Sequence, residues 1–106
     1  VNDRVFVNKY LENVILNKPM GRIKVVNELR SKMISGEIID ELLDEKLGME
    51  EEKRLAKKAA LKKVKALLNY PEETARKRLF THLRNRGFQY DIINDIVKEI
   101  FSGNIQ

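Results

Sequence analysis

The chain has no cysteine, which excludes disulfides, thiolate metal sites and a cysteine nucleophile; a cytoplasmic home agrees with this and is expected. It has one histidine. A nucleophile–base pair needs a histidine or an equivalent beside a serine, threonine or cysteine. His82 stands mid-helix between Thr81 and Leu83, so it reads as a structural or surface residue. No enzyme activity, no catalytic residue and no cofactor are expected. The five glycines are scattered at turns, with no glycine-rich phosphate loop. No apolar run approaches the roughly 20 residues needed to cross a bilayer, and the start shows no signal-peptide pattern. A membrane partner is not expected. The chain begins at Val1 without a methionine, so a fragment of a longer protein is expected.

What is present is a globular balance, 42% apolar and 35% charged, over 106 residues, enough for one folded region rather than a disordered tail. The charge is divided unevenly. Residues 1–52 hold 8 basic and 11 acidic residues (net −3), and residues 53–106 hold 13 and 5 (net +8). A basic half points to an anionic partner, either nucleic acid or an acidic protein surface.

The periodicity is helical nearly throughout, with no strand alternation, so the fold class is all-α. A first helix is predicted over about residues 3–17, capped by Asn2 or Asp3, with Phe6, Tyr10 and Val14 inward, flanked by Val7 and Leu11. Lys18-Pro19-Met20-Gly21 breaks it. A second helix turns Ile23, Val26 and Leu29 inward. Ser35 caps a third, whose apolar face is Ile38, Ile39, Leu42 and Leu43, and Gly48 is placed to end it in a left-handed conformation. A long helix over about 49–69 follows, with an acidic start and an inner stripe of Ala56, Ala60, Val64, Leu67 and Leu68. Pro71 takes the first position of a fifth helix, which faces Leu79, Phe80 and Leu83 inward and closes at Gly87 with Phe88 folded back. The sixth, about 90–102, buries Ile92, Ile93, Ile96, Val97 and Ile100.

The six helices are two copies of three. Shifted by 54 residues, Leu29–Ile34 falls on Leu83–Phe88 and Glu37–Leu43 on Asp91–Val97, the mark of a repeat. The expected units are 1–48 and 49–106, each around its own small core, joined by the long helix in an elongated body. Four basic positions recur with the apolar ones: Arg22 with Arg76, Lys24 with Arg78, Arg30 with Arg84 and Lys32 with Arg86. Packing explains recurring leucines but not recurring surface charge; descent from one ancestor is the other explanation.

On a 100° wheel Arg54, Lys58, Lys62 and Lys65 share about one quarter turn, away from Ala56, Ala60 and Val64. Such a row can meet phosphates or carboxylates at regular intervals. These four and the eight recurring cations are the candidate partner-binding or DNA-binding residues. Tyr10, Tyr70 and Tyr90 could stack on bases, although Tyr10 fits the core better. Asp40, Glu41, Asp44 and Glu45 lack the spacing of a calcium loop and have no histidine beside them, so they read as a solvated acidic face. Helices 22–32 and 37–46 could form a helix-turn-helix. Its recognition helix would expose Glu37, Asp40, Glu41, Asp44 and Glu45, which repel phosphate.

Asp3-Arg4-Val5-Phe6, the Pro19-Met20-Gly21 turn, Glu28-Leu29-Arg30-Ser31-Lys32-Met33-Ile34 and Ile38-Ile39 resemble the second repeat of RecX proteins. Leu79-Phe80-Thr81-His82-Leu83-Arg84-Asn85-Arg86-Gly87-Phe88-Gln89-Tyr90-Asp91-Ile92-Ile93 is similar to their third repeat. The resemblance spans the whole chain. It implies a curved tandem array of three-helix units that modulates, usually inhibits, the RecA recombinase filament by lying along its groove, with DNA as a further partner, in recombination and repair. A monomer is expected. The chain departs from the family at Met33, where a C-capping glycine is usual, so that helix end is either not left-handed or strained. A plain DNA-binding module and a passive helical scaffold are the competing readings.

Overall fold

The computed structural model describes residues 2–102. Among them six helices and no strand are found: α1 (Asp3–Leu16), α2 (Arg22–Ser31), α3 (Gly36–Lys46), α4 (Met49–Val64) with a 3₁₀ turn at Lys65–Leu67, α5 (Glu72–Asn85) and α6 (Tyr90–Ser102). The helices form an elongated body of 50 × 22 × 20 Å. α1 and α2 pack on α3, while α4, α5 and α6 pack on one another.

Each helix starts where a side chain or an extended residue satisfies its free amides. Asn2 Oδ1 accepts from the Arg4 and Val5 amides, and Ser35 Oγ accepts from Ile38 N, as capping by short polar residues requires. Pro71 stands one position earlier than expected. It is the extended residue before α5 (φ −57°, ψ 152°) rather than its first turn. Gly48 is not left-handed. With φ −70° and ψ −179° it is the extended start of α4, because α4 follows α3 so closely that the residue between must serve the next helix.

The inner faces of three helices are rotated from those expected. On α1 the buried residues are Val7, Leu11 and Val14, with Phe6 exposed and Tyr10 half-buried. On α2 Val25 and Leu29 are buried and Ile23 is exposed. On α4 the buried face is Glu52, Leu55, Ala56, Ala59 and Ala60, and Leu68 beyond it is 76% exposed. α3, α5 and α6 keep the predicted faces, with Ile38, Phe80 and Ile100 at the half-buried margin. The buried apolar side chains of both units form one continuous cluster rather than two separate cores.

The 54-residue repeat reaches the backbone. Met33 has φ 65° and Gly87 has φ 87°. Each closes its helix in the same way: Met33 N donates to Arg30 O and Gly87 N to Arg84 O, both at 2.9 Å, while Ile34 N donates to Leu29 O and Phe88 N to Leu83 O, both at 3.3 Å. These left-handed caps satisfy the last carbonyls. Met33 therefore adopts the strained alternative, with its side chain 89% exposed. The left-handed conformation costs a β-carbon-bearing residue roughly 1–2 kcal/mol. Met33→Gly is expected to stabilise the protein by about 1 kcal/mol, partly offset by glycine's greater freedom when unfolded. A lower urea midpoint than the parent's would contradict this.

The units meet where the α1–α2 turn lies on the α5–α6 turn. Gly21 N donates to Arg86 O at 2.8 Å and Ile23 N to Gly87 O at 3.0 Å. A β-carbon on Gly21 would overlap the Gly87 carbonyl and the Phe88 amide. Beneath this seam lies Glu52, fully buried. Its carboxylate accepts from Arg22 N (3.0 Å), Gln89 N (3.3 Å) and Gln89 Nε2 (2.6 Å). One side chain thus caps the starts of α2 and α6, a negative charge at the positive ends of two helices.

Candidate anion-binding face

The row on α4 divides along its length. At the N-terminal half the cations are engaged: Arg54 is held by Glu51, Lys53 lies 3.6 Å from Asp95 and Lys57 3.4 Å from Glu99. Arg54, proposed for a partner, thus has a carboxylate at hand, and their hydrogen bond raises the guanidinium pKa further and lowers that of Glu51. At the C-terminal half Lys58, Lys62 and Lys65 are exposed, and no ion pair involves them among the described residues.

Two hollows open beside that free half. The larger, about 530 Å³, lies between the end of α4 and α5 and is lined by Lys63, Tyr70, Thr74, Lys77, Arg78, Thr81, His82 and Asn85, among others. The smaller, about 250 Å³, lies at the seam and is lined by Asn17, Lys18, Pro19, Ala59, Lys62, Lys63, His82 and Arg86. They share Lys63 and His82, so they form one groove. No carboxylate lines either hollow. Partial burial, and then the nearby Lys63 and Arg86 cations, push the His82 imidazole below its ordinary pKa, as desolvation and like charge both must.

Of the twelve expected cations, the groove brings together Lys62, Arg78 and Arg86, with Lys58 and Lys65 on the same helix face as Lys62. The rest line neither hollow. Arg22 is drawn into the fold: its guanidinium reaches Asp44 at 2.7 Å and Leu47 O at 3.5 Å. Lys24 packs its backbone against Gly87. Arg76 lies 3.7 Å from Glu72. Arg30, Lys32 and Arg84 are exposed at helix ends, where they complement the dipole. Lys18, Lys63, Lys77 and His82 were not singled out as binding residues by sequence reasoning. A wheel for one helix cannot show that Lys63, half a turn from Lys62, faces α5.

The three tyrosines separate. Tyr10 donates to Glu28, and burial followed by that carboxylate raises its pKa. Tyr90 packs edge-on against Phe80, with centroids 5.5 Å apart. Tyr70 lines the larger hollow with Arg78 stacked over its ring at 4.4 Å. The acidic face of α3 is partly engaged in the fold: Glu41 holds Arg4 through bonds of 2.7 and 2.8 Å, and Asp44 holds Arg22. Among the described residues no group of three or more His, Asp or Glu is placed to hold a metal ion, and no helix is long and apolar enough to cross a membrane.

Fold and surface define a class: an all-helical tandem-repeat protein presenting a cationic groove free of carboxylates. Residues 50–97 match the family described as RecX, third three-helix domain. The chain is 35% identical over 97 residues to regulatory protein RecX of Chlorobaculum tepidum, covering 92% of this chain and 58% of that protein. It is 31% identical over 101 residues to regulatory protein RecX of Chlorobium limicola, covering 95% and 61%. A crystal structure of regulatory protein RecX superposes with a TM-score of 0.80 at 26% identity, covering 98% of this chain and 49% of the solved one. The chain belongs to the RecX family and corresponds to the C-terminal portion of these relatives. It spans about three fifths of the curated relatives' length.

Proposed function

We propose that the chain is part of a non-enzymatic, cytoplasmic regulator that docks its basic helical surface on the RecA filament and restrains it, in recombination, DNA repair and the SOS response. The observation that carries this reading is the carboxylate-free groove in a chain of the RecX family, whose relatives are named regulatory proteins. A filament repeats its subunits, and a protein of two repeated units suits a repeating partner. The alternative, a non-specific DNA-binding module, is favoured by Tyr70 beside the groove cations. Co-sedimentation with RecA–DNA filaments and with the same DNA alone separates the two, with RecA's DNA-dependent ATP hydrolysis as the functional readout. Retention on filaments well above that on naked DNA, with slowed hydrolysis, is expected. Equal retention on both with hydrolysis unchanged would leave the DNA-binding module instead. Changing Lys58, Lys62 and Lys65 to glutamine is expected to weaken filament retention and flatten its salt dependence, because each removed cation releases fewer counterions.

A further inference from the structure

The groove carries more than positive charge. Its cations come from three elements: Lys18 from the α1–α2 turn, Lys62 and Lys63 from α4, and Lys77, Arg78 and Arg86 from α5 and its end. Between them lie uncharged donors, Thr74, Thr81 and Asn85, and at one end stands the Tyr70–Arg78 stack. We propose that this groove binds the phosphodiester backbone of a single-stranded nucleic acid, with phosphates on Lys18, Lys62, Lys63 and Arg86 around His82 and a base stacked at Tyr70. The proposal rests on the reading above that this face is the docking surface.

The ligand class follows from the combination. An acidic protein surface would satisfy the lysines and leave the exposed aromatic–guanidinium stack without a role. A single strand uses both, because its unpaired bases stack on aromatic rings and guanidinium planes while its backbone tracks a positive groove. A duplex has its bases already stacked. Major-groove entry by the helix-turn-helix candidate would place α3 there, which exposes Glu37, Asp40 and Glu45.

His82 makes the site sensitive to protons. The charged groups around the groove are Lys18 from the turn, Lys62 and Lys63 from α4, and Lys77, Arg78 and Arg86 on its own side, with no carboxylate. The free imidazole is therefore held neutral to a lower pH than usual. A bound phosphate offsets Lys63 and Arg86 and favours the imidazolium, so the bound pKa exceeds the free one and binding takes up a proton. Affinity is then flat above the bound pKa and rises as pH falls through it towards the free value. A phosphodiester keeps its single charge throughout, so the change belongs to the protein.

The test is fluorescence anisotropy of a labelled oligothymidylate with the whole chain. Parent affinity is expected to rise about three- to tenfold from about pH 8 to about pH 5.5, and His82→Gln to abolish most of that rise. Lys62→Ala with Lys63→Ala should weaken binding and reduce the log–log salt slope by about 1.4, as for two phosphates on a single strand. Tyr70→Ala should lose about fivefold or more on oligothymidylate and almost nothing on an abasic strand of equal length. Lys53→Ala with Lys57→Ala, outside the groove, should bind like the parent. The proposal is overturned if the parent does not bind the strand, if the two double variants bind alike, or if His82→Gln keeps the parent's pH profile. Loss of filament retention in the Lys62/Lys63 variant with strand binding intact would also overturn it, assigning the groove to protein and leaving the filament reading standing. Strand binding as expected without filament retention would support the groove and remove the filament reading.

Discussion

Glu52→Ala is expected to cost about 3–5 kcal/mol, as for removing one partner of a buried charged network. The side chain is fully buried and accepts three hydrogen bonds from two residues, one in each unit. Alanine removes the acceptor for the first amide of α2, the amide before α6 and the Gln89 side chain at once. Bonds to a charged group are worth about 1.5–3 kcal/mol each, and an unsatisfied buried amide costs about 1–3. The total falls short of their sum because water can enter the space left behind.

Glu52→Gln separates acceptor from charge. One of its two oxygens becomes a donor, but Gln89 can turn its own amide and accept from it. Two backbone amides can still share the remaining oxygen, so the loss should be about 1–2 kcal/mol. Urea melts followed by circular dichroism measure both variants. Equal losses would mean that charge rather than geometry holds the seam, and a loss below about 1 kcal/mol for alanine would mean that Glu52 is not the tie between the units.

The helices and their repeat were legible because their causes are local. Apolar spacing, Ser35 and Asn2 as caps, and the Gly87 turn are each written within a few residues. The inner faces of α1, α2 and α4 were less so. α1 carries Val5, Phe6, Val7, Tyr10, Leu11, Val14, Ile15 and Leu16, so stripes one residue apart satisfy the same spacing. The fold takes Val7 and Leu11 and leaves the larger Phe6 at the margin. Glu50-Glu51-Glu52 reads as an acidic helix start. That Glu51 turns to Arg54 while Glu52 turns inward is decided by Arg22 and Gln89, 30 and 37 residues away. The groove failed to show for the same reason. Lys18, Lys63, His82 and Arg86 belong to three segments that only the seam brings together, whereas a helical wheel finds charge along one helix.

Gly87→Ala should be the counterpart of Met33→Gly, with opposite sign and larger size. The two positions are equivalent in the repeat and both are left-handed, so on backbone strain alone alanine at 87 would cost roughly 1–2 kcal/mol. The surroundings differ. Met33 projects into solvent, while a β-carbon on Gly87 would overlap the backbone nitrogen and Cβ of Lys24. Neither is the far end of a flexible side chain, so the overlap can be relieved only by moving α2 away from the α5–α6 turn. That movement stretches the Gly21 N to Arg86 O and Ile23 N to Gly87 O bonds, worth about 1 kcal/mol each. The expected loss is therefore about 3–4 kcal/mol, measured by urea denaturation. Gly21→Ala meets the same seam from the other side without positive φ, so it should cost less by about the strain of one left-handed residue. Should Gly87→Ala cost no more than about 2 kcal/mol, strain alone would account for it and the seam would be able to open without loss.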